Sequence, residues 1–252
     1  MAKSKLSVRE TIEKSARFLW KNPAAVLPIF IVHMLLVAFV FYYNTYAVVS
    51  YSFALVLLTG LAGLYATVLT MHFIYDRRSR KVSLGKVMEK VSVRKMLKLF
   101  ELSVVMAVAV ALLYMIAFAA YVISPMAGGL MILAESVFIM YAALRLVFAC
   151  NLIVLEGKGV MDSAKGSWKM AKGNMVKLVL LALSVFALTV VVMIAYTTLY
   201  ESLGLTMMDV SEEGTVVSYP MYVVYYAMIS VLSAFYSTVT VEAYVKLRGR
   251  RR

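Results

Sequence analysis

The sequence of 252 residues has no glutamine, one cysteine, two histidines and only 13 acidic residues. A single cysteine, Cys150, excludes an intrachain disulfide. With two histidines beside it, soft ligands are too few for a zinc or haem site of the usual kind, so no metal and no cofactor is expected. The aspartates Asp76, Asp162 and Asp209 fall in different connections, which argues against a carboxylate pair on a divalent metal. The patterns G-x-x-x-x-G-K-[ST], H-E-x-x-H and G-x-S-x-G are all missing. The expectation is a protein that is not an enzyme. Scarcity of thermolabile amides is a weak thermophile signal, and the 18 methionines run against it.

Charge is scarce too. Charged residues make up 15% of the chain, against roughly a quarter in a soluble domain. Hydrophobic residues make up 63%, and the mean hydropathy is +0.86. A water-facing shell on a chain of this length needs more polar residues than that. Both a soluble globule and a disordered chain are excluded.

What is present is long apolar runs. A membrane-spanning helix needs about 20 mostly apolar residues. Six runs qualify, at about 24–43, 51–75, 99–123, 127–155, 176–199 and 217–245. The first is too long for the apolar core of a secretory signal and reads as a retained span. The expected fold is all-α: one domain, 1–252, of six transmembrane helices, with residues 1–23 forming an amphipathic N-terminal helix.

The net charge of +13 sorts by position. Lys and Arg cluster before the first span, between the second and third, between the fourth and fifth, and after the sixth. The connections near Asn44 and Ser124-Pro125 carry no charge. The fifth carries Glu201, Asp209, Glu212 and Glu213 without a single Lys or Arg. All basic residues but Arg145 therefore fall on one side, which the positive-inside rule makes cytoplasmic, both termini included. The location expected is the cell membrane. Tyr42, Tyr43, Tyr46, Tyr51, Tyr196, Tyr200, Tyr219 and Tyr222 gather at the opposite ends, as an aromatic belt does. Topology accounts for the basic charge, so nucleic acid is not an expected partner.

Three cytoplasmic stretches have helical periodicity. In 7–20, Val8, Ile12, Ala16 and Leu19 share a stripe. Ser7 with Glu10 fits a capping box, and Asn22-Pro23 ends the helix. In 158–172, Val160, Ala164, Trp168 and Ala171 form an apolar stripe and Lys165, Lys169 and Lys172 a basic one. In 83–97, Leu84, Val87, Met88 and Val91 fall together. Each stretch can lie flat in the headgroup region or pack on the cytoplasmic end of the bundle. Arg17, Lys21, Lys165, Lys169 and Lys172 are the candidate contacts to anionic headgroups. A shift of 152 residues aligns Thr11 with Ser163, Ser15 with Ser167 and Asn22 with Asn174. Together with the layout from Ser83 onward, it suggests three parallel repeats of interfacial helix, span, outer turn and span.

Ionisable residues within spans are costly and are functional candidates by default. His33 and Glu135 are the deepest, with Glu135 roughly 12 Å inside the outer end of its span. Arg145 is about 15 Å further along the same helix, within snorkelling reach of the cytoplasmic side. His72, Glu101 and Glu242 lie near the same level. Arg145 with Glu101 or Glu242 would form a cluster that staples helices together, conducts ions or grips a lipid phosphate. A histidine and a carboxyl at mid-span are equally consistent with neutral hydrogen bonds between helices.

The stretches Leu144-Arg145-Leu146 to Phe148, Leu152 to Gly159, Ser163-Ala164, Ser167-Trp168 and Lys172-Gly173-Asn174 carry a resemblance. So does Lys21-Asn22-Pro23 ahead of the first span. The chain resembles uncharacterised polytopic membrane proteins of bacteria and archaea. These are similar to the membrane domain fused to some glycerophosphodiester phosphodiesterases. The resemblance implies six spans and a cytoplasmic N-terminus. It supplies no catalytic residues, and the phosphodiesterase barrel of those fusions is not within these 252 residues. The leading expectation is a non-enzymatic protein that organises the membrane, contacts its lipids or scaffolds partners. A small transporter or channel with a polar path near Glu135, His33 and Arg145 is the alternative.

Overall fold

The structure, a computed structural model, describes residues 6–46, 52–78, 82–202, 208–211, 214–217 and 219–249. It divides into two compact units, described in turn. One holds Ser92–Val179 and the chain from Tyr244 onward; the other holds Ser7–Val91 and Leu180–Ala243.

In the second unit, α1 (Val8–Lys21) starts where the Ser7 hydroxyl accepts the Glu10 N–H at 3.4 Å. A 3₁₀ turn, Pro23–Ala25, follows the expected break and leads into α2 (Leu27–Tyr46). α2 packs on α3 (Ser52–Arg77), and α3 on the short α4 (Leu84–Met88). The bulk of α9 (Met175–Ser202) and of α10 (Tyr219–Arg248) completes this unit. Its buried side chains come mainly from α3 (Val68, Phe73, Ile74) and α10 (Phe235, Val239, Val241). Between α9 and α10, Met208–Ser211 and Gly214–Val217 pair as a two-stranded antiparallel hairpin that the sequence reading did not foresee. β-Branched Val210, Thr215, Val216 and Val217 suit that conformation.

The first unit is built on a hairpin of α5 (Val93–Ile123) and α6 (Pro125–Leu146). Ser124 turns the chain; its hydroxyl accepts the Ala127 N–H, and Pro125 occupies the first helical position, where a missing N–H is harmless. The helices touch closely at Gly128, which sits against the Tyr121 backbone. α7 (Ala149–Glu156) and α8 (Val160–Ala171) pack on each other and on this hairpin. Phe148, Leu152, Ile153 and Val154 are buried, and the Phe148 ring lies 6.4 Å from that of buried Tyr244.

Two expectations need correction here. The fourth run is found as one candidate span, Pro125–Glu156, but its helix is interrupted: α6 stops at Leu146 and α7 starts at Ala149. Ser167 of α8 fills the gap: its hydroxyl accepts the Phe148 N–H at 3.1 Å and donates to the Arg145 carbonyl at 2.7 Å. A side chain inserted into the helical ladder satisfies the groups that the break frees. The stretch 83–97 is likewise not one interfacial helix. α4 covers only Leu84–Met88, and Ser92, whose hydroxyl accepts the Lys95 N–H, starts α5 at Val93. This cap hands residues 93–97 to the long apolar helix.

Among the described residues, five helical stretches are long and apolar enough to cross a membrane: Leu58–Arg77, Val93–Ile123, Pro125–Glu156, Met175–Leu199 and Val223–Arg248. They overlap the expected second to sixth spans. In α2 the described apolar run, Leu27–Phe39, is shorter. Only 11% of the most apolar windows of Val93–Ile123 and Met175–Leu199 is buried. Val105, Leu112 and Phe118 of α5 and Leu183, Phe186 and Val191 of α9 face outward. In water such faces would aggregate, whereas hydrocarbon satisfies them. Of the expected aromatic belt, Tyr196 stacks obliquely on Tyr225 at 6.1 Å. Tyr51 and the side chains of Tyr42, Tyr43, Tyr46, Tyr200, Tyr219 and Tyr222 lie outside the described residues.

Candidate functional site

A basic concavity in the second unit forms where the end of α1 meets the end of α3. Asn22, the residue that stops α1, has both ends of its amide engaged. Its Nδ2 donates to the Phe18 carbonyl at 2.8 Å, and its Oδ1 accepts from Nε of Arg77 at 2.8 Å. Arg77 also donates through Nη1 to the Val82 carbonyl at 3.3 Å. Its neighbour Arg78 pairs through Nε with Oε1 of Glu242 on α10 at 2.8 Å. The cleft these residues border has a volume of about 270 Å³. Lys14, Arg17, Lys21, Arg77 and Arg78 line it, against one carboxylate, Glu242. Lys14 is paired with Glu10 at 2.9 Å on the surface of α1. Arg17 and Lys21 are exposed and bond to no described residue.

In the first unit, Arg145 does not form the expected cluster with Glu101 or Glu242. Its Nε and Nη2 donate to the Tyr141 hydroxyl at 2.9 and 2.7 Å, and Nη1 to the Trp168 carbonyl at 3.4 Å. The guanidinium carbon lies 5.1 Å from the centre of the Tyr141 ring and 5.0 Å from that of Trp168. One helical turn separates Tyr141 from Arg145, so the pair forms locally. Two aromatic faces then replace an acid as the partners of the charge. Glu242 pairs with Arg78 instead, and Glu101 is exposed on α5.

Of the remaining candidates, His72 is buried on α3. His33 is half-buried on α2; its Nδ1 lies 2.7 Å from the Ser230 hydroxyl and its ring 5.5 Å from that of Tyr226. Glu135 is buried on α6, and its Oε2 has no hydrogen-bond partner among the described residues. Its helix belongs to one unit and His33 to the other. Lys165, Lys169 and Lys172 are exposed along α8. The stretch Glu156-Gly157-Lys158-Gly159 is a helix end: Gly157 has φ 68° and caps α7, a conformation that glycine adopts without the penalty of a Cβ.

The face that α1 buries differs from the expected stripe, and that of α8 shares only Val160 and Ala171 with it. α1 buries Thr11 and Ser15, while Val8, Ile12 and Leu19 are half-exposed and Ala16 is exposed. α8 buries Ser163 and Ser167 along with Val160, Met170 and Ala171, and Trp168 stays largely exposed. Sequence reasoning found Arg17, Lys21 and Arg145 but missed Arg77, Arg78, Asn22, Tyr141 and Trp168 as their company. The arginines had been read as topology markers and Asn22 as a helix breaker. The one signal in the letters was Tyr141 at four residues from Arg145.

Long helices with apolar outer faces and basic ends place the chain in the class compatible with multi-pass helical membrane proteins. The chain belongs to the family described as a domain of unknown function, DUF7847, which matches residues 6–247. No curated protein and no solved structure matches it. The family match makes no link to domains fused to glycerophosphodiester phosphodiesterases.

Proposed function

We propose that the protein is a six-span cell-membrane protein, both termini cytoplasmic, that contacts anionic lipid headgroups and organises or scaffolds the inner leaflet without catalysis. The observation that carries this reading is the pair of helices α1 and α8. Each buries two small hydroxyl residues, Thr11 and Ser15 on α1 and Ser163 and Ser167 on α8, and basic residues point outward: Arg17 and Lys21 on α1, Lys165 and Lys169 on α8 with Lys172 at its end. α2 supplies the sixth span. Basic residues next to an anionic leaflet gain about 1 kcal/mol each, enough for several together to recruit such lipids. Burial of Thr11 and Ser15 at the positions matched by Ser163 and Ser167 supports two repeats offset by 152 residues. The resemblance to membrane domains of glycerophosphodiester phosphodiesterases accords with a lipid-facing role.

Lipid analysis of the full chain extracted from membranes tests this. Enrichment of anionic over zwitterionic lipid is expected. It should fall when Arg17, Lys21, Lys165, Lys169 and Lys172 are all changed to Gln. Equal recovery of both lipid classes from the unaltered protein would refute the reading. A second reading, a small transporter or channel, rests on Glu135, a buried carboxyl whose Oε2 lacks a partner among the described residues. Unchanged ion or proton flux in Glu135→Gln vesicles would remove it.

A further inference from the structure

We infer that the cleft at the end of α1 is a discrete site for a single anionic phosphate group. This rests on the headgroup-contact reading but goes beyond it, since a basic face needs no site. Three observations separate a site from a topological label. First, the positive-inside rule counts charges and is indifferent to their arrangement. Here cations from α1 and from the end of α3, more than fifty residues apart in the chain, border one hollow of about 270 Å³. Second, the arginines are held in place. Asn22 fixes Nε of Arg77, and Glu242 fixes Nε of Arg78. Those bonds leave Nη2 of Arg77 and both Nη atoms of Arg78 for a ligand, and a guanidinium fork matches phosphate oxygens. Third, the charge is not balanced. Glu242 answers Arg78 and Glu10 answers Lys14, so among the described residues Arg17, Lys21 and Arg77 are left without a carboxylate. Each helix C-terminus nearby offers only about half a negative charge. An anion with two or three acceptor oxygens completes the cleft.

Phosphate chemistry can come from a lipid headgroup or from a soluble phosphate. The test measures binding to the full chain in neutral detergent, with phosphatidylglycerol, phosphatidylcholine, glycerol 3-phosphate and inorganic phosphate as separate probes. Saturable binding of an anionic probe is expected. The double variant Arg17→Gln, Lys21→Gln should weaken it about 25-fold, the effect of two cations near an anionic group. The control Lys86→Gln, Arg94→Gln, two exposed cations outside both the cleft and the proposed headgroup contacts, should leave it unchanged. Neither Arg17 nor Lys21 bonds to a described residue, so thermal unfolding of the cleft variant should match that of the unaltered protein. Saturation by phosphatidylglycerol alone assigns the site to a lipid; saturation by glycerol 3-phosphate or inorganic phosphate assigns it to a soluble ligand. Equal weakening by both variants, or by neither, overturns the site while leaving the headgroup-contact reading standing. Absence of any preference for anionic over zwitterionic lipid overturns both.

Discussion

The α5/α6 hairpin gives the sharpest mechanical prediction. A Cβ placed on Gly128 would lie 2.2 Å from Cα, 2.4 Å from Cβ and 2.6 Å from N of Tyr121. Ordinary contact begins at 3.4 Å, so Gly128→Ala must part the helices locally by about 1.2 Å. The obstructing atoms are mostly backbone, so no rotamer change can absorb the strain. A gap of 0.5–1 Å already forfeits roughly a quarter to a half of each dispersion contact, and Ala117, fully buried on α5, is among the side chains exposed to that loss. Overpacking of this kind costs about 3 kcal/mol. The neighbouring glycine is the control, because a Cβ on Gly129 meets nothing within 4 Å. Gly129→Ala should be neutral or stabilise by up to about 1 kcal/mol through helix propensity. Thermal unfolding of both variants in detergent, followed by size-exclusion profile, makes the comparison. Equal stability of the two alanine variants would refute close contact of the helices at Gly128.

Three further outcomes follow from named contacts. Ser167→Ala leaves the Phe148 N–H and the Arg145 carbonyl without their partner at the α6/α7 break, and should cost about 2 kcal/mol; unfolding midpoints equal to those of the unaltered protein would count against the inserted-serine account. Arg145→Lys keeps the charge but loses the two bonds to the Tyr141 hydroxyl and the planar stacking. In a Trp20→Phe background it should shift Trp168 emission, and an unmoved spectrum would argue against the contact. Glu242→Gln removes the one carboxylate among the described residues of the basic cleft while its amide oxygen still accepts from Arg78 Nε; it should lower stability by no more than about 1 kcal/mol, the difference between a charged and a neutral hydrogen bond, and tighten binding of anionic phosphate. Weaker phosphate binding in this variant would contradict the charge count.

Helix class and most helix positions were legible because hydrocarbon length sets a threshold that apolar runs either meet or miss. The α6/α7 break was not, because its cause is Ser167, a residue of another helix that no local pattern reveals. The stretch 83–97 failed for a local reason. Its apolar spacing persists across Ser92, and a cap competes with periodicity without changing it. Arg145 was recognised as exceptional, but the search for its partner looked for acids. Cation–π contacts stabilise a charge with residues that a charge inventory does not count.

Periodicity left open whether the apolar stripes of α1 and α8 face the headgroups or the bundle, and the structure buries neither stripe whole. A soluble helix turns its apolar stripe inward because water is outside. At a headgroup boundary the outside is itself partly apolar, so that driving force weakens. Small hydroxyl residues can then take the inner face: Ser15 bonds back to the Thr11 carbonyl at 2.8 Å, and Ser167 bridges the α6/α7 break. Those two hydroxyls are satisfied, so their burial carries no large penalty, whereas the buried Ser163 hydroxyl has no partner among the described residues. Val8, Ile12, Leu19 and Trp168 stay partly open, and Trp20 is 89% exposed. Apolar side chains left outward beside exposed cations are costly in water and favourable at an anionic interface. In α1, where only Thr11 and Ser15 are buried and apolar and basic residues point outward, this arrangement favours the proposed place at the headgroup boundary over water.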